Sequence, residues 1–475
     1  MHSSRKAIFL TGASGNMGQH ILDELFQRLD RFQVRALSLD TPRDRAILAP
    51  YQKKGLSVLW GDLTCYSDVL AGVEGADIVL HVGGLVSPYA DTQPELTMKT
   101  NIGAAKNIVR AVKAQPNPDR IKLVYIGTVA QYGNRPVPIH WGRVGDPLKL
   151  STYDSYALSK TIAERIIVES GLKNWLSLRQ TGIARMAAAE PIDPITFHTT
   201  LDGVLEWITP RDSGRLLANL CEEDVPEEIW GNIYNIGGGA PNRLTNLELF
   251  EKMLGATGVA DFREVLDPRW FALKNFHGQW FSDSDALEAL VPYRHQTFDE
   301  YLEEQSRSVP WFIRLGSALP RLVRGKFEAV ARGPRGTLSW LAQGDLAHIT
   351  AYFGSLMRMK QIGGWEKIST ARPSNEPQLL DHGYDENKRL SLAAIREAAR
   401  FRGGKLLSGK LNPDDWRSPL KWCCHAGHEF SASLNLILKG GHWCPACLAD
   451  TGAYPEMARR SAFFHQVWAP DLARG

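Results

Sequence analysis

Along the first 185 residues, short apolar runs alternate with longer stretches in which apolar residues recur every three or four positions. The short runs predict buried β-strands, and the longer stretches predict amphipathic helices. The predicted strands are KAIFLTG, FQVRALSL, LSVLWGD, ADIVLHVGG, IKLVYIGT and WLSLRQTG, and the clearest helices are NMGQHILDELFQRL, ELTMKTNIGAAKNIVRAVKA and SYALSKTIAERIIVES. This alternation is typical of a doubly wound parallel sheet, so we assign residues 1–185 to one α/β domain.

The pattern changes three times after residue 185. Residues 186–300 are less regular, and we expect a smaller α/β part that folds against the carboxyl ends of the strands, where such sheets bind ligands. Residues 301–385 are predicted as a basic helical connector, because eleven Lys or Arg accompany three Asp or Glu between positions 305 and 375. A compact unit then begins with the amphipathic stretch LSLAAIREAARF; we place it at residues 386–450 and the C-terminal tail at 451–475.

Composition narrows the class of protein. The chain has 475 residues, 44% of them hydrophobic and 23% charged, which indicates a globular protein of about two to three domains. Its net charge of +3 is too small to indicate a nucleic-acid or membrane partner for the whole molecule. No apolar run is long enough to span a membrane, and the start MHSSRKAIFL lacks the apolar core of a secretory signal. We therefore expect a cytoplasmic protein with no membrane partner.

A glycine-rich turn follows the first predicted strand and opens the first predicted helix. In TGASGNMG, Gly12, Gly15 and Gly18 surround Asn16 and Met17. Glycines at this spacing allow a tight turn and a close approach of the backbone to a pyrophosphate, whose charge the amides at the helix N-terminus stabilise. The context of strand, turn and helix therefore predicts a dinucleotide site.

The turn resembles the TGxxGxxG motif of the extended short-chain dehydrogenase/reductase family, also called NAD-dependent epimerases/dehydratases, and further stretches fit this family over about residues 5–300. The resemblance implies a Rossmann domain that binds NAD or NADP. It implies that Asp62 and Leu63 of GDLT contact the adenine and that Val82 and Gly83 of HVGG lie beside the cofactor. It also places Asn101 at a helix asparagine of the family.

The choice between NAD and NADP depends on the end of the second strand, VRALSLDTPRDR. An acidic residue there binds the ribose 2′-hydroxyl of NAD, whereas Arg accommodates the 2′-phosphate of NADP. Ser38 aligns with the family's acidic position, Asp40 follows it, and Arg43 and Arg45 lie within reach of a phosphate. Asp40 favours NAD, and NADP stays an alternative.

The stretch YDSYALSK places Tyr156 and Lys160 four residues apart, on one face of a helix. The resemblance implies that these two residues and Thr128, at the end of the preceding strand, are catalytic, and that Asn101 belongs to a proton relay. A neighbouring ammonium lowers the pKa of a tyrosine from about 10, so Tyr156 could exchange a proton while hydride moves to or from the nicotinamide. Tyr153 lacks the required spacing to Lys160.

The residues around this trio favour one reaction. Dehydratases of the family carry an acidic residue directly after the catalytic Thr, where this chain has Val129, and LRQTGIARM differs from the segment usual in sugar-nucleotide epimerases. We therefore predict interconversion of an alcohol and a ketone, with sugar-nucleotide epimerisation as an alternative. Bulky rings in the smaller part suggest a cyclic or apolar small-molecule substrate, although core packing is the commoner role of such rings: Trp207, Trp230, Trp270, Phe271, Phe276, His277, Trp280 and Phe281.

Cysteine and histidine residues near the C-terminus have the spacing of metal ligands. Cys424 and His428 in KWCCHAGHEF precede Cys444 and Cys447 in GHWCPAC, and four such ligands predict a closed, structural zinc site. Cys423 and His425 compete for the first pair. The segment resembles zinc-ribbon or treble-clef modules, and this resemblance implies that it could bind nucleic acid, as in a dinucleotide-sensing regulator. Because no alternation of aromatic and basic residues of the kind that stacks bases is present, we favour a structural, docking or homo-oligomerisation role.

Overall fold

The computed structural model describes residues 5–186, 190–317, 319–410, 412 and 414–473, so the predicted end points at residues 1 and 475 lie outside it. The strands are β1 Lys6–Thr11, β2 Phe32–Ser38, β3 Ser57–Trp60, β4 Ile78–His81, β5 Lys122–Thr128, β6 Trp141–Gly142, β7 Trp175–Gln180, β8 Val204–Glu206, β9 Asn232–Ile236, β10 Arg243–Thr245, β11 Trp280–Phe281, β12 Lys405–Leu406, β13 Leu420–Cys423 and β14 Glu429–Ala432. Seven of them form one parallel sheet in the order β3-β2-β1-β4-β5-β7-β9, which confirms the predicted doubly wound sheet.

Helices cover both faces of the sheet and build most of the remaining chain. They are α1 Asn16–Phe26, α2 Pro42–Gln52, α3 Tyr66–Val73, α4 Tyr89–Thr92, α5 Pro94–Lys113, α6 Ser155–Val168, α7 Pro210–Asn219, α8 Asn246–Ala256, α9 Phe262–Val265, α10 Asp285–Leu290, α11 Phe298–Arg307, α12 Trp311–Ser317, α13 Pro320–Arg332, α14 Thr337–Gln343, α15 Leu346–Phe353, α16 Leu356–Gln361, α17 Leu392–Phe401, α18 Pro445–Ala449, α19 Tyr454–Arg460 and α20 Ala462–Ala473. Within the described residues, no helix is long and apolar enough to cross a lipid bilayer.

The sheet domain does not end at residue 185. Strand β9 pairs with β7 as the last strand, and α7 packs on α1 so closely that a Cβ on Gly214 would lie 2.5 Å from the backbone carbon of His20. The sequence hides β9 because Asn232 and Asn235 interrupt its apolar pattern. Asn235 is nevertheless buried, since it accepts a hydrogen bond from Tyr132 at 2.9 Å and donates one to Asp283 at 2.9 Å.

The connector packs on the smaller part of the chain. Phe327 and Ala331 of α13 lie in one buried cluster with Phe197, Val265 and Trp270. Beyond α16 the chain returns to the sheet domain, where the carbonyl of Ser374 accepts hydrogen bonds from the side chains of His140 and Trp141 at 2.9 and 3.0 Å. The connector therefore packs over the smaller part before the chain reaches the C-terminal module. We define this module as residues 386–473.

The C-terminal module contains the three-stranded antiparallel sheet β12-β13-β14. Its apolar residues share a core with the sheet domain, because Leu434, Leu436, Ile437 and Leu438 are buried in the same cluster as the α6 and β7 side chains. The C-terminal tail belongs to this cluster as well, through Tyr454, Phe464 and Val467, among others. Since each buried Leu or Ile contributes about 1.5–3 kcal/mol, the module is bound to the sheet domain by a continuous core.

Candidate active site and metal centre

The glycine-rich turn lies between β1 and α1, as its sequence predicts. Gly12 has φ +75°, and a Cβ there would lie 2.7 Å from the Cα of Gly83, while a Cβ on Gly18 would lie 2.1 Å from the carbonyl oxygen of Gly12. Gly15 is the N-cap of α1, and no side chain of the described residues caps the first amides of this helix. Asn16 is exposed and Met17 is buried. The turn therefore leaves uncapped amides and an approach without Cβ atoms, which suits a pyrophosphate.

The end of β4 closes the other side of this turn. The hydroxyl of Thr11 lies 3.0 Å from Nδ1 of His81 and accepts hydrogen bonds from the amides of Val82 and Gly83 at 3.1 and 2.9 Å. A Cβ on Gly83 would lie 2.8 Å from the Leu63 side chain, and Asp62, next to Leu63, is exposed. The residues predicted to contact the cofactor thus line one edge of the sheet.

His81 predicts how stability depends on pH. Burial, together with the charge of Lys160, lowers the pKa of His81 to about 3. Below pH 6.5 the unfolded chain binds a proton that the folded protein does not, so the free energy of unfolding falls by roughly 1.4 kcal/mol per pH unit toward pH 4. His81→Asn retains a nitrogen near Nδ1 but cannot titrate. Between pH 6 and pH 4.5, we expect its free energy of unfolding, measured in urea, to fall by about 2 kcal/mol less than that of the wild type.

The control for this prediction is His465→Asn, because His465 is exposed on α20. This variant should follow the wild-type pH dependence. An equal loss of stability in His81→Asn and in the wild type would contradict the assignment to His81.

Thr128, Tyr156 and Lys160 meet where β5 ends and α6 begins. Burial raises the pKa of Tyr156 to about 12, against the opposing effect of the nearby Thr128 hydroxyl. Burial also lowers the pKa of Lys160 to about 7, and the ammonium lies 4.4 Å from the ring centre of Tyr125. The expected lowering of the Tyr156 pKa by Lys160 is therefore not found: burial raises this pKa, and Lys160 is only partly charged near neutral pH.

Asn101 of α5 lies next to this trio. Its side chain accepts a hydrogen bond from the Leu85 amide at 2.8 Å, and donates to the Leu85 carbonyl at 3.0 Å and to the Ser159 hydroxyl at 2.9 Å. Ser159 precedes Lys160 on α6. These hydrogen bonds of the Asn101 side chain therefore hold the loop after β4 against α6.

The end of β2 carries a paired acid and base. Arg45 donates to Asp40 through Nη2 at 2.8 Å and through Nε, and its guanidinium lies 4.7 Å from the ring centre of Trp60. The Arg45 side chain lowers the pKa of the Asp40 carboxyl. Ser38 is buried and Arg43 is exposed. Asp40 thus already pairs with the Arg45 guanidinium that would otherwise bind a 2′-phosphate.

A cavity of about 280 Å³ opens at the N-terminal end of α6. Asp154 lies in its wall and caps α6 by accepting the Ala157 amide at 2.7 Å, and burial raises the Asp154 pKa to about 7. Buried polar atoms of His277 and Arg335 have no hydrogen-bond partner among the described residues. The ring walls come mainly from the connector and from the loop before α6, namely Tyr153, Trp340, His348 and Tyr352.

The sequence missed most of this lining. Of the rings proposed from composition, Phe276 and His277 line the cavity, whereas Trp230, Trp270, Phe271, Trp280 and Phe281 are buried in apolar clusters. Tyr153, which the spacing rejects as the catalytic tyrosine, stacks on His348 with ring centres 4.4 Å apart. Tyr153 has a positive φ of 69°. Neither this backbone conformation nor its contact with the connector could be predicted from the local sequence.

Cys424, His428, Cys444 and Cys447 form one cluster, with ligand atoms that all lie within 4.8 Å of one another. The Sγ atoms of Cys424 and Cys447 are 3.7 Å apart, and Nδ1 of His428 lies 3.5 and 3.4 Å from the Sγ atoms of Cys444 and Cys447. Ligand atoms at 2.0–2.3 Å from a tetrahedral zinc ion are separated by about 3.3–3.8 Å, so these residues fit zinc.

Local turns bring these side chains together. Gly427 has φ +81°, and its amide donates to the Cys424 carbonyl at 3.0 Å, which returns the chain so that His428 faces Cys424. Cys444 precedes α18, and Cys447 lies within that helix. Cys423 and His425, the competitors by sequence, are not members of the cluster.

Comparison with known proteins agrees with the class that the fold and turn define, a dinucleotide-binding α/β domain. Residues 8–179 match the sequence model of the NAD dependent epimerase/dehydratase family. The match places residues 8–179 of the N-terminal region with the NAD-dependent epimerase/dehydratase family, of the extended short-chain dehydrogenase/reductase type. Members of this family are NAD-dependent enzymes.

Curated relatives extend this match. The rat and human (Rattus norvegicus and Homo sapiens) proteins named 3 beta-hydroxysteroid dehydrogenase type 7 are 27% and 26% identical over 166 and 173 residues, which are 34% and 35% of this chain. The alignments cover 47% and 45% of those proteins, so this chain spans about half the length of the relatives it matches.

Solved structures share the fold. The dTDP-glucose 4,6-dehydratase of Bacillus anthracis, in complex with NAD, has a TM-score of 0.51 at 16% identity, over 64% of this chain and 96% of that one. A DesIV double mutant, a dTDP-glucose 4,6-dehydratase of Streptomyces venezuelae with NAD bound, has a TM-score of 0.52 at 21% identity, over the same shares of the two chains. At these identities the likeness establishes the fold alone.

Proposed function

We propose that the protein is an NAD-dependent oxidoreductase that interconverts a secondary alcohol and a ketone on a small cyclic molecule. The observation that carries this proposal is that Thr128 lies close enough to Tyr156 to affect its pKa, with Lys160 one turn along α6. The glycine-rich turn follows β1, which is separated from the Thr128 strand β5 by β4 alone. A hydroxyl pair beside a dinucleotide site is what proton exchange at a carbonyl oxygen requires.

The residues divide the work in this mechanism. Thr128 donates a hydrogen bond that orients the substrate oxygen, and Tyr156 takes the proton of the alcohol or returns it to the ketone. Lys160 binds the nicotinamide ribose and, when charged, favours the phenolate of Tyr156. When bound, the oxidised nicotinamide would accept the hydride of the alcohol and carry a positive charge, and the reduced form would donate hydride to the ketone. Asn101 holds the loop after β4 and so keeps α6 in register with that loop.

The cavity before α6 favours a ring-shaped substrate with a polar substituent. Its lining includes Tyr153 and Asp154 but not Thr128, Tyr156 or Lys160, so the reacting end of the substrate would have to extend beyond it toward Tyr156. The aromatic walls of the cavity suit the faces of a small ring. Buried His277 Nδ1, which lies 3.9 Å from Asp154 Oδ2, and buried Arg335 Nη1 have no hydrogen-bond partner among the described residues and suit a polar group. The assay is a panel of cyclic secondary alcohols and ketones with NAD or NADP, followed by the change in nicotinamide absorbance. Turnover of a sugar nucleotide without net change in the dinucleotide would instead support epimerisation, the alternative from sequence.

The proposed preference for NAD depends on Asp40. We expect Asp40→Asn to lower the ratio of kcat/KM for NAD over NADP by roughly tenfold or more, because it removes a charge that repels the 2′-phosphate and frees the Arg45 guanidinium. The matched control is Asp44→Asn, since Asp44 lies on the next turn and bonds to Thr41 rather than to Arg45. An unchanged ratio in Asp40→Asn would mean that Asp40 does not face the ribose.

We also propose that the C-terminal cluster binds a structural zinc ion. Four protein ligands leave no open position for a substrate, so the ion would supply stability rather than chemistry. Zinc content of the purified protein, measured by elemental analysis, tests this proposal; one equivalent per chain is expected. A protein that is fully folded without any bound metal would refute it.

A further inference from the structure

A buried ion pair joins the helix that carries the proposed catalytic residues to the central sheet. Glu164 of α6 and Arg179 of β7 are fully buried, with Arg179 Nη2 donating to Glu164 Oε2 at 2.7 Å. Glu164 follows Lys160 by one helical turn, on the same face. The Ser177 hydroxyl and the Gln131 amide also donate to this carboxylate, at 2.7 and 2.9 Å.

Two further partners of this pair come from the C-terminal module. His442 donates from Nε2 to Glu164 Oε2 at 2.8 Å, a role that requires the proton on this nitrogen because the carboxylate only accepts. Arg179 Nη2 also donates to the Gly440 carbonyl at 2.6 Å. Both bonds are buried, so an undocked module would leave two charged groups short of partners in the interior.

The module also contacts the chain on both sides of Tyr156. Before α6, the Leu150 amide donates to the Tyr454 hydroxyl at 3.2 Å. After the catalytic residues, the Arg165 side chain donates to the Ser431 carbonyl at 2.6 Å, and the Glu169 carboxylate accepts the Ser433 hydroxyl at 2.5 Å. Helix α6 is therefore held by the module at its last two turns and through the loop that precedes it.

The loop that carries Gly440 and His442 has little freedom. Gly441 has φ +70°, and a Cβ there would lie 2.1 Å from the Asp146 carbonyl oxygen, so the loop passes tightly beneath the segment before α6. His442 lies two residues before Cys444, a member of the metal cluster. Binding of a metal ion would therefore fix the loop at the point where it meets Glu164.

We propose that the C-terminal module is a positioning part of the active site: His442 and the Gly440 carbonyl hold the Glu164–Arg179 pair and thereby fix the helix that carries Tyr156 and Lys160. His442 touches neither substrate nor cofactor and acts only through Glu164. The catalytic half of this inference rests on the proposed function, whereas the structural half does not. A displacement of about 1 Å in a catalytic group can cost about a hundredfold in rate, so a remote module can matter.

Hydrogen exchange of residues 155–168 in the full-length, metal-loaded protein tests the structural half. We expect His442→Ala to raise exchange of this helix by roughly tenfold, and His442→Gln, whose Nε2 can replace the imidazole donor, to restore most of the protection. Arg417→Ala is the matched control, because Arg417 joins the module to the Lys173 carbonyl by an exposed bond away from the catalytic residues. It should leave exchange of α6 unchanged. Equal effects of His442→Ala and Arg417→Ala would overturn the proposal.

Removal of the metal gives a second measurement on the unmutated chain. A chelator under reducing conditions should raise exchange in residues 155–168 but not in α1, which lies in a different apolar cluster. If His442→Ala does not fold, this experiment decides alone. Unchanged exchange of α6 after loss of the metal would overturn the proposal.

Kinetics test the catalytic half. We expect His442→Ala to lower kcat at least tenfold while KM for the dinucleotide changes less than about threefold, with recovery in His442→Gln. Loss of dinucleotide binding together with kcat would indicate a general structural role and overturn it. If the variants show the expected differences in exchange but the wild-type protein turns over no alcohol or ketone, the proposed function is refuted and the positioning contact still stands.

Discussion

Replacing Tyr156 with phenylalanine is expected to lower kcat by roughly 100- to 10,000-fold, because the variant loses the group that exchanges a proton with the substrate oxygen. The phenyl ring should keep its packing, since Tyr156 contacts the apolar cluster that contains Val129, Leu148 and Phe281. Dinucleotide affinity should change little. The measurement is steady-state turnover with the best alcohol of the substrate panel, together with dinucleotide titration of each protein.

The matched control is Tyr66→Phe, the same substitution on α3, where the ring packs against Arg110. It should retain wild-type kcat. If Tyr156→Phe retained activity as well, Tyr156 would not be the proton donor, and the mechanism built on Thr128 and Lys160 would be wrong.

Replacing Cys424 with serine is expected to abolish metal binding and to lower the free energy of unfolding by about 3 kcal/mol or more, a fraction of the 10–16 kcal/mol of apparent binding energy of structural zinc. The loss should reach the sheet domain, because the module and the α6 face share one apolar core. Elemental analysis and denaturant unfolding measure the two effects. At temperatures where the variant is folded, dinucleotide affinity should stay near that of the wild type, since the glycine-rich turn lies in a separate cluster.

Cys423→Ser gives a sharp control, because Cys423 is the adjacent residue and its thiol is not a member of the cluster. It should retain one metal ion per chain and wild-type stability. The opposite result, with metal lost in Cys423→Ser and kept in Cys424→Ser, would exchange the ligand assignments of the two cysteines.

The features that local sequence could predict are those set by short-range chemistry. The period of apolar residues predicted β1 to β5 and β7, and the three glycines of the turn are required by contacts within a few residues or with the adjacent strand. The metal cluster follows from two knuckles whose ligands are close in sequence. In each case the physical requirement lies within one turn or one strand pair.

The features that were missed depend on contacts between distant segments. The roof of the cavity comes from α14 and α15, whose Trp340 and His348 show only the apolar and polar spacing of ordinary helices. His442 offered no signal, because its partner Glu164 lies 278 positions earlier. The aromatic residues proposed as substrate contacts were mostly core residues, since composition cannot separate a buried ring from one that lines a cavity.

The shared core also affects how the protein folds during translation. Ile167, Val168 and Trp175 are covered in the finished protein by residues near Leu436, about 260 positions further along. At about 5–20 residues per second, that covering segment is synthesised roughly 13 to 52 s later. The nascent sheet domain must therefore carry an uncovered apolar face during translation, and it can reach its final packing only after the segment around Leu436 has left the ribosome.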